Sequence, residues 1–168
     1  GAVAMLAAAQ KQHGKLAWSS LFGDAETLAD QGFAVSPRLA SLIRAKAPQT
    51  SAPDVLAYFS KPDGQLLNAG DVLKNPAYAA TVRKIAAEGP KALLEGEIAQ
   101  AIVARVHEGE RPGALSLADL KAYKPKVGPA LCKPYRIYVV CTPQGPSGGP
   151  SLLQEAREAV RYGEFALA

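Results

Sequence analysis

YRIYVVCTPQGPSGGPSLLQ, residues 135–154, decides how this chain is read. Residues 135–141 alternate and are rich in β-branched and aromatic side chains, the pattern of a strand with Tyr135, Ile137, Val139 and Cys141 on one face. From Gly149 onward the pattern is an apolar helical run with Pro150 in its first turn. Between the two lie two glycines, two prolines and a serine, and with Gly149 itself this is more glycine than a turn needs. Backbone N–H groups at the start of a helix are unpaired donors. Without Cβ atoms at Gly148 and Gly149, another group can approach the backbone closely. Such a corner suits a carboxylate, a phosphate or an oxyanion. It equally suits a tight strand-to-helix corner packed against a neighbour, and the residues alone leave both readings open. The stretch matches neither GxGxxG nor the Walker pattern, which argues against a nucleotide. Ser147 lacks a GxSxG elbow and has no histidine nearby in sequence, so it is a poor nucleophile.

Upstream of this corner the chain reads as helices with clear punctuation. Residues 1–14 are helical and stop at Gly14. Residues 19–33 put Leu21, Ala25 and Leu28 on one face and end at Gly32. Ser36 caps a helix with Pro37 in its first turn and a face of Leu39, Leu42, Ile43 and Lys46. The segment KPDGQ, residues 61–65, is a turn between short extended pieces. Asn75 and Pro76 open the clearest helix, with Tyr78, Val82, Ile85 and Ala86 as its buried stripe. Ile98, Ile102 and Val106 point inward from the next helix. Ser116 and Asp119 stand at capping-box spacing before a short helix.

The 168 residues correspond to about one domain by length. Hydrophobic residues at 48% suffice for a core, and aromatics at 7% predict helices that pack through small side chains. The charge of +4, 19 Lys and Arg against 15 Asp and Glu, is spread along the chain. Its densest run, residues 120–136, is broken by prolines and carries no nucleic-acid motif, so no nucleic-acid partner is expected. No apolar run reaches the length of a membrane span. The first residues show neither a starting Met nor a signal-peptide pattern, and the chain is expected to be a segment of a longer protein.

Cys132 and Cys141 flank the strand-like run. One continuous strand at about 3.3 Å per residue would separate them beyond disulfide reach, which predicts two free, buried thiols. His13 and His107 fall at helix ends and are expected to serve as helix-end cations. Glu95 and Glu97 are two apart on a helix and do not face each other, a poor acid/base pair. No HExxH, no Ser/His/Asp set and no metal-ligand spacing occurs, so no catalytic residue and no metal site is assigned.

Five stretches nonetheless share an order with a known family: residues 1–22, 25–40, 86–103, 113–126 and 135–154. In that order they resemble the large subunit of γ-glutamyltranspeptidases and the related cephalosporin acylases, over residues 1–154. The resemblance implies a mainly α-helical α+β segment of an αββα N-terminal-nucleophile hydrolase, with few strands near residues 134–142. It implies a precursor that cuts itself, and a freed N-terminal threonine on the small subunit that attacks a γ-glutamyl amide such as glutathione. The threonine's own α-amine serves as base. No cofactor is implied. The implied partners are that small subunit and a γ-glutamyl substrate, with self-association possible. Relatives of this kind are periplasmic or secreted.

The family's nucleophile and its carboxylate-gripping arginine match no position here, and Thr142 does not inherit the role. This chain alone is therefore expected to be inactive. Pro143, Pro146, Ser147, Gly148 and Gly149 match the family's motif, which Gln144 and Gly145 interrupt. That motif implies that Ser147, Gly148 and Gly149 form a corner beside the substrate cavity. Residues 155–168 match poorly and read as a divergent C-terminal helix or tail. The competing expectation is a non-catalytic helical module or truncated relative that binds a partner through exposed apolar surface.

Overall fold

The computed structural model describes residues 1–45, 52–145 and 148–162. The chain divides into two compact units, Gly1–Lys124 and Pro125–Ala168.

The first unit is helical, and its sequence punctuation is visible at the helix ends. Helix α1 spans Ala2–His13 and stops at Gly14. A short 3₁₀ turn, Trp18–Leu21, leads into α2, Gly23–Gln31. Gly32 then turns the chain with φ of 91° into β1, Phe33–Ala34. A side chain at Gly32 would also collide with the strand laid beside it, because a Cβ there would sit 2.7 Å from Val72 Cγ1 and 2.9 Å from the Leu73 carbonyl oxygen. Only glycine satisfies both demands. Ser36 accepts a hydrogen bond from the Leu39 amide and caps α3, Pro37–Arg44. Helix α4 spans Pro53–Tyr58. The turn at residues 61–65 closes, with the Gly64 amide donating to the Lys61 carbonyl at 2.9 Å and Ser60 bridging Leu66, but the piece before it is the helix α4 rather than the extended one expected.

Strand β2, Val72–Leu73, pairs antiparallel with β1, Phe33 opposite Leu73. Val35, Ala40, Ile43, Leu67 and Leu73 pack together beside this pair, with Leu39, Phe59 and Leu66 against them. Helix α5, Pro76–Glu88, carries the Asn75 cap expected from its sequence and packs on α2. The Trp18 indole N–H ties the 3₁₀ turn to α5 by donating to the Ile85 carbonyl at 3.0 Å. Helices α6, Lys91–Leu94, α7, Gly96–Val106, and α8, Leu117–Ala122, complete the unit. At α8 the capping box forms in full. The Ser116 amide donates to Asp119 Oδ2 at 2.9 Å, and the Asp119 amide donates to Ser116 Oγ at 3.2 Å.

The small-residue packing expected from the low aromatic content is present. Ala79, Ala92 and Ala99 are among the most deeply buried side chains. The helix faces differ in detail from the periodicity. Leu21, Leu28, Leu42 and Tyr78 are exposed, whereas Ala29, Ala40 and Ala79 are buried. Alanine allows backbones to approach, and the neighbouring large side chain is then displaced to the rim of the contact. Lys46, placed on the α3 face by its sequence, lies outside the described residues.

The second unit is a hairpin and a helix. Strand β3, Leu131–Tyr135, pairs antiparallel with β4, Tyr138–Thr142. Helix α9, Gly149–Tyr162, packs on both strands. Here the sequence expectation of one continuous strand fails. Arg136 takes a left-handed φ of 55°, and Ile137 beside it is 88% exposed. The chain reverses at these two residues, the two-residue connection favoured in hairpins. The apolar alternation across residues 135–141 therefore belongs to two strands, which share faces across the pair rather than along one line.

The reversal also overturns the cysteine expectation. Cys132 and Cys141 are register partners with Cα atoms 4.1 Å apart, and they form a disulfide. They are exposed rather than buried. The separation computed for an unbroken strand does not apply, because the hairpin brings its two ends together.

Candidate functional site

The strand-to-helix corner is built on the inward face of this hairpin. Side chains alternate across a strand. Leu131, Val140 and Thr142 share one face with partial or complete burial, while Cys132, Val139 and Cys141 lie on the other and are exposed. Thr142, the last residue of β4, is 8% exposed. Gly149 opens α9, and Leu153, one turn later on the same helical face, is buried.

The two glycines of the motif have different surroundings. A Cβ on Gly149 would stand 2.9 Å from both Cβ and Oγ1 of Thr142 and 3.1 Å from the Pro143 carbonyl oxygen. Here the group that comes close to the bare backbone is the chain's own threonine. A Cβ on Gly148 would meet nothing within 4 Å. The Gly148 carbonyl accepts from the Leu152 amide at 2.9 Å and so belongs to the first turn of α9. Ser147 lies outside the described residues.

Thr142, named in the sequence only to deny it the nucleophile's role, is the residue whose place in the corner the sequence did not show. Its hydroxyl is buried and, among the described residues, has no hydrogen-bond partner. Leaving a buried hydroxyl unpaired costs about 1–3 kcal/mol. The period-2 pattern of β4, with Val140 and Thr142 on one face, is the signal that could have located it.

The remaining polar candidates stand apart from the corner. Glu95 precedes α7 and is exposed. Glu97 pairs with Lys84, whose hydrogen bond lowers the carboxyl's pKa and raises that of the ammonium. Both groups are solvent-accessible and the pair is structural. His13 ends α1 and His107 follows the last residue of α7, the helix-end positions expected. Among the described residues no three of His, Cys, Asp and Glu gather in the manner of a metal site.

The first unit also presents an apolar groove of about 510 Å³ lined by Ala25, Leu28, Ala29, Phe33, Tyr58, Asn75 and Tyr78. Leu28, Phe33, Tyr58 and Tyr78 on its walls are exposed.

Comparison with known proteins places this architecture. The family model described as gamma-glutamyltranspeptidase matches residues 1–160. Glutathione hydrolase 2 of Arabidopsis thaliana is 33% identical over 164 residues, 97% of this chain and 28% of that protein. The acylase ACY 1 proenzyme of Pseudomonas sp. (strain V22) is 33% identical over 134 residues, 80% of this chain and 24% of that protein. The crystal structure of the Bacillus anthracis transpeptidase enzyme CapD superposes with a TM-score of 0.81 at 28% identity, covering 96% of this chain and 54% of that one. The chain thus spans about a quarter of the length of these curated relatives. Its mainly helical architecture, with two short two-stranded sheets among the described residues, is that of a segment of an N-terminal-nucleophile hydrolase. A match running through both units, from the first helix to the hairpin and the helix behind it, means that the chain belongs to the gamma-glutamyltranspeptidase family.

Proposed function

We propose that residues 1–154 are a large-subunit segment of an amidohydrolase or acyltransferase that acts on γ-glutamyl amides such as glutathione, with residues 155–168 a divergent C-terminal helix or tail. The family match over residues 1–160 carries the large-subunit part of this reading. The nucleophile is an N-terminal threonine on a small-subunit partner freed by self-cleavage. Relatives named as proenzymes, from Schizosaccharomyces pombe and Pseudomonas, support a processed precursor. An α-amine acting as base accounts for a chain whose two histidines sit at helix ends. The segment contributes scaffold. Ser147, Gly148 and Gly149 form a corner beside the substrate cavity, and the open space around Gly148 supports that role.

The protein acts in the periplasm or outside the cell. The Cys132–Cys141 disulfide supports this, since such bonds persist in oxidising compartments. Among the described residues no helix is long and apolar enough to cross a membrane.

The test is release of the aniline from a γ-glutamyl anilide. The 168-residue chain alone should give no turnover, and activity should appear when it is joined to the remainder of a large subunit, with its carboxylate-gripping arginine, and to a companion chain opening with threonine. Turnover by the purified chain alone would overturn the assignment. A second reading, a non-catalytic module that binds a partner, is favoured by the exposed apolar groove between α2 and α5. It gains support if the companion chain binds and no activity follows.

A further inference from the structure

We propose that Cys132–Cys141 is a thiol-reducible staple, a redox modification site that holds the strand-to-helix corner in register. The disulfide joins directly opposed residues of β3 and β4, and both cysteines are exposed. They lie on the hairpin face opposite to Thr142, so a small thiol can reach the sulfurs without displacing α9. Cys141 immediately precedes Thr142, whose partner across the ladder is Leu131, next to Cys132. The bond therefore locks the register pair adjoining the corner.

That position matters because Thr142 is held at a cost. Its hydroxyl is buried without a hydrogen-bond partner among the described residues, and it packs where only a glycine at 149 leaves room. A free strand end would relieve both constraints by fraying and letting the hydroxyl reach water. The hairpin's other connection, the Arg136–Ile137 turn, lies at the far end of the ladder. The disulfide is the covalent restraint at the end that meets α9.

The chemistry is thiol–disulfide exchange with a small-molecule thiol as reductant. A thiolate attacks one cysteine sulfur, the Sγ–Sγ bond breaks, and the other cysteine leaves as a thiolate that takes up a proton. A second thiol displaces the mixed disulfide. Two cysteine thiols result, and two molecules of the small thiol are oxidised to their disulfide. The inference is independent of the catalytic reading and survives its failure.

The test uses the full chain, alkylated with iodoacetamide before and after dithiothreitol, with hydrogen exchange followed by mass spectrometry. No cysteine should alkylate before reduction, and both should alkylate after it. A link closing a loop of this size, nine positions apart, is worth about 100-fold in the opening equilibrium, so amides of β4 and the first turn of α9 should exchange about that much faster on reduction. Amides of α5 in the first unit should not change. The double variant C132S/C141S should exchange like the reduced protein and ignore dithiothreitol. Alkylation without reductant, or reduction that leaves β4 exchange unchanged, overturns the proposal. Equal acceleration in α5 also overturns it, since that would mark general unfolding rather than release of the corner.

Discussion

Replacing Gly149 with alanine tests the corner most directly. The new methyl carbon would sit 2.9 Å from Thr142 Cβ and Oγ1 and 3.1 Å from the Pro143 carbonyl oxygen. Carbon atoms pack best at about 3.5–4.0 Å, so the contact with Thr142 Cβ is short by at least roughly 0.6 Å. Neither side can yield freely, because Thr142 is pinned by the ladder and the neighbouring disulfide. Overpacking of this kind costs about 1–3 kcal/mol. Alanine recovers part of this, up to about 1 kcal/mol in a helix interior and less at a first turn. The net expectation is a loss of about 1–2 kcal/mol, or about 2–8 °C in Tm for a chain of this length. Gly148→Ala is the internal control. With nothing within 4 Å, it should stay within about 0.5 kcal/mol of the parent. Thermal unfolding by circular dichroism measures both. If the two variants melt together, the close approach of Thr142 to Gly149 does not explain the glycine, and the reasoning fails.

Three further outcomes are expected. Ser116→Ala should destabilise the protein by about 0.5–2 kcal/mol through loss of the capping box at α8, read as a drop in Tm. Hydrogen bonds from the Ser116 side chain and backbone hold the Asp119 carboxyl below the usual carboxylate range. Its contribution is therefore present above about pH 4 and lost as pH falls through the depressed folded value, and the Ser116→Ala difference should shrink in melts below that pH. Leu67→Ala empties part of the cluster around Val35 and Leu73 and should cost about 2–5 kcal/mol in denaturant unfolding, with an unchanged m-value. Trp18→Phe removes the indole donor to the Ile85 carbonyl and should lower stability by about 1 kcal/mol in the same assay, whereas a change below a few tenths would show that water replaces the bond fully.

Much of the helical framework was legible in the chain. Ser36 and Asn75 cap their helices, Gly14 and Gly32 follow helix ends, and Ser116 and Asp119 form the box that their spacing predicts. These signals are local, each arising from a backbone group satisfied within a few residues. Which residue of each helix is buried was less legible. Periodicity marks a face, but the closeness of α2 and α5 decided that Ala29 and Ala79 go inside while Leu28 and Tyr78 remain at the surface.

By itself the sequence determined most of the helices, the caps of α3, α5 and α8, the glycine corner and the family likeness, because each rests on neighbours in the chain or on an ordered set of short matches. Tertiary structure alone decided three things. It folded residues 131–142 back on themselves at Arg136 and Ile137, which turned two distant cysteines into a bonded pair. It set Thr142, rather than an outside ligand, against Gly149. It left the Thr142 hydroxyl buried without a partner among the described residues. Register across a hairpin and packing behind it join residues that no short window of sequence places together.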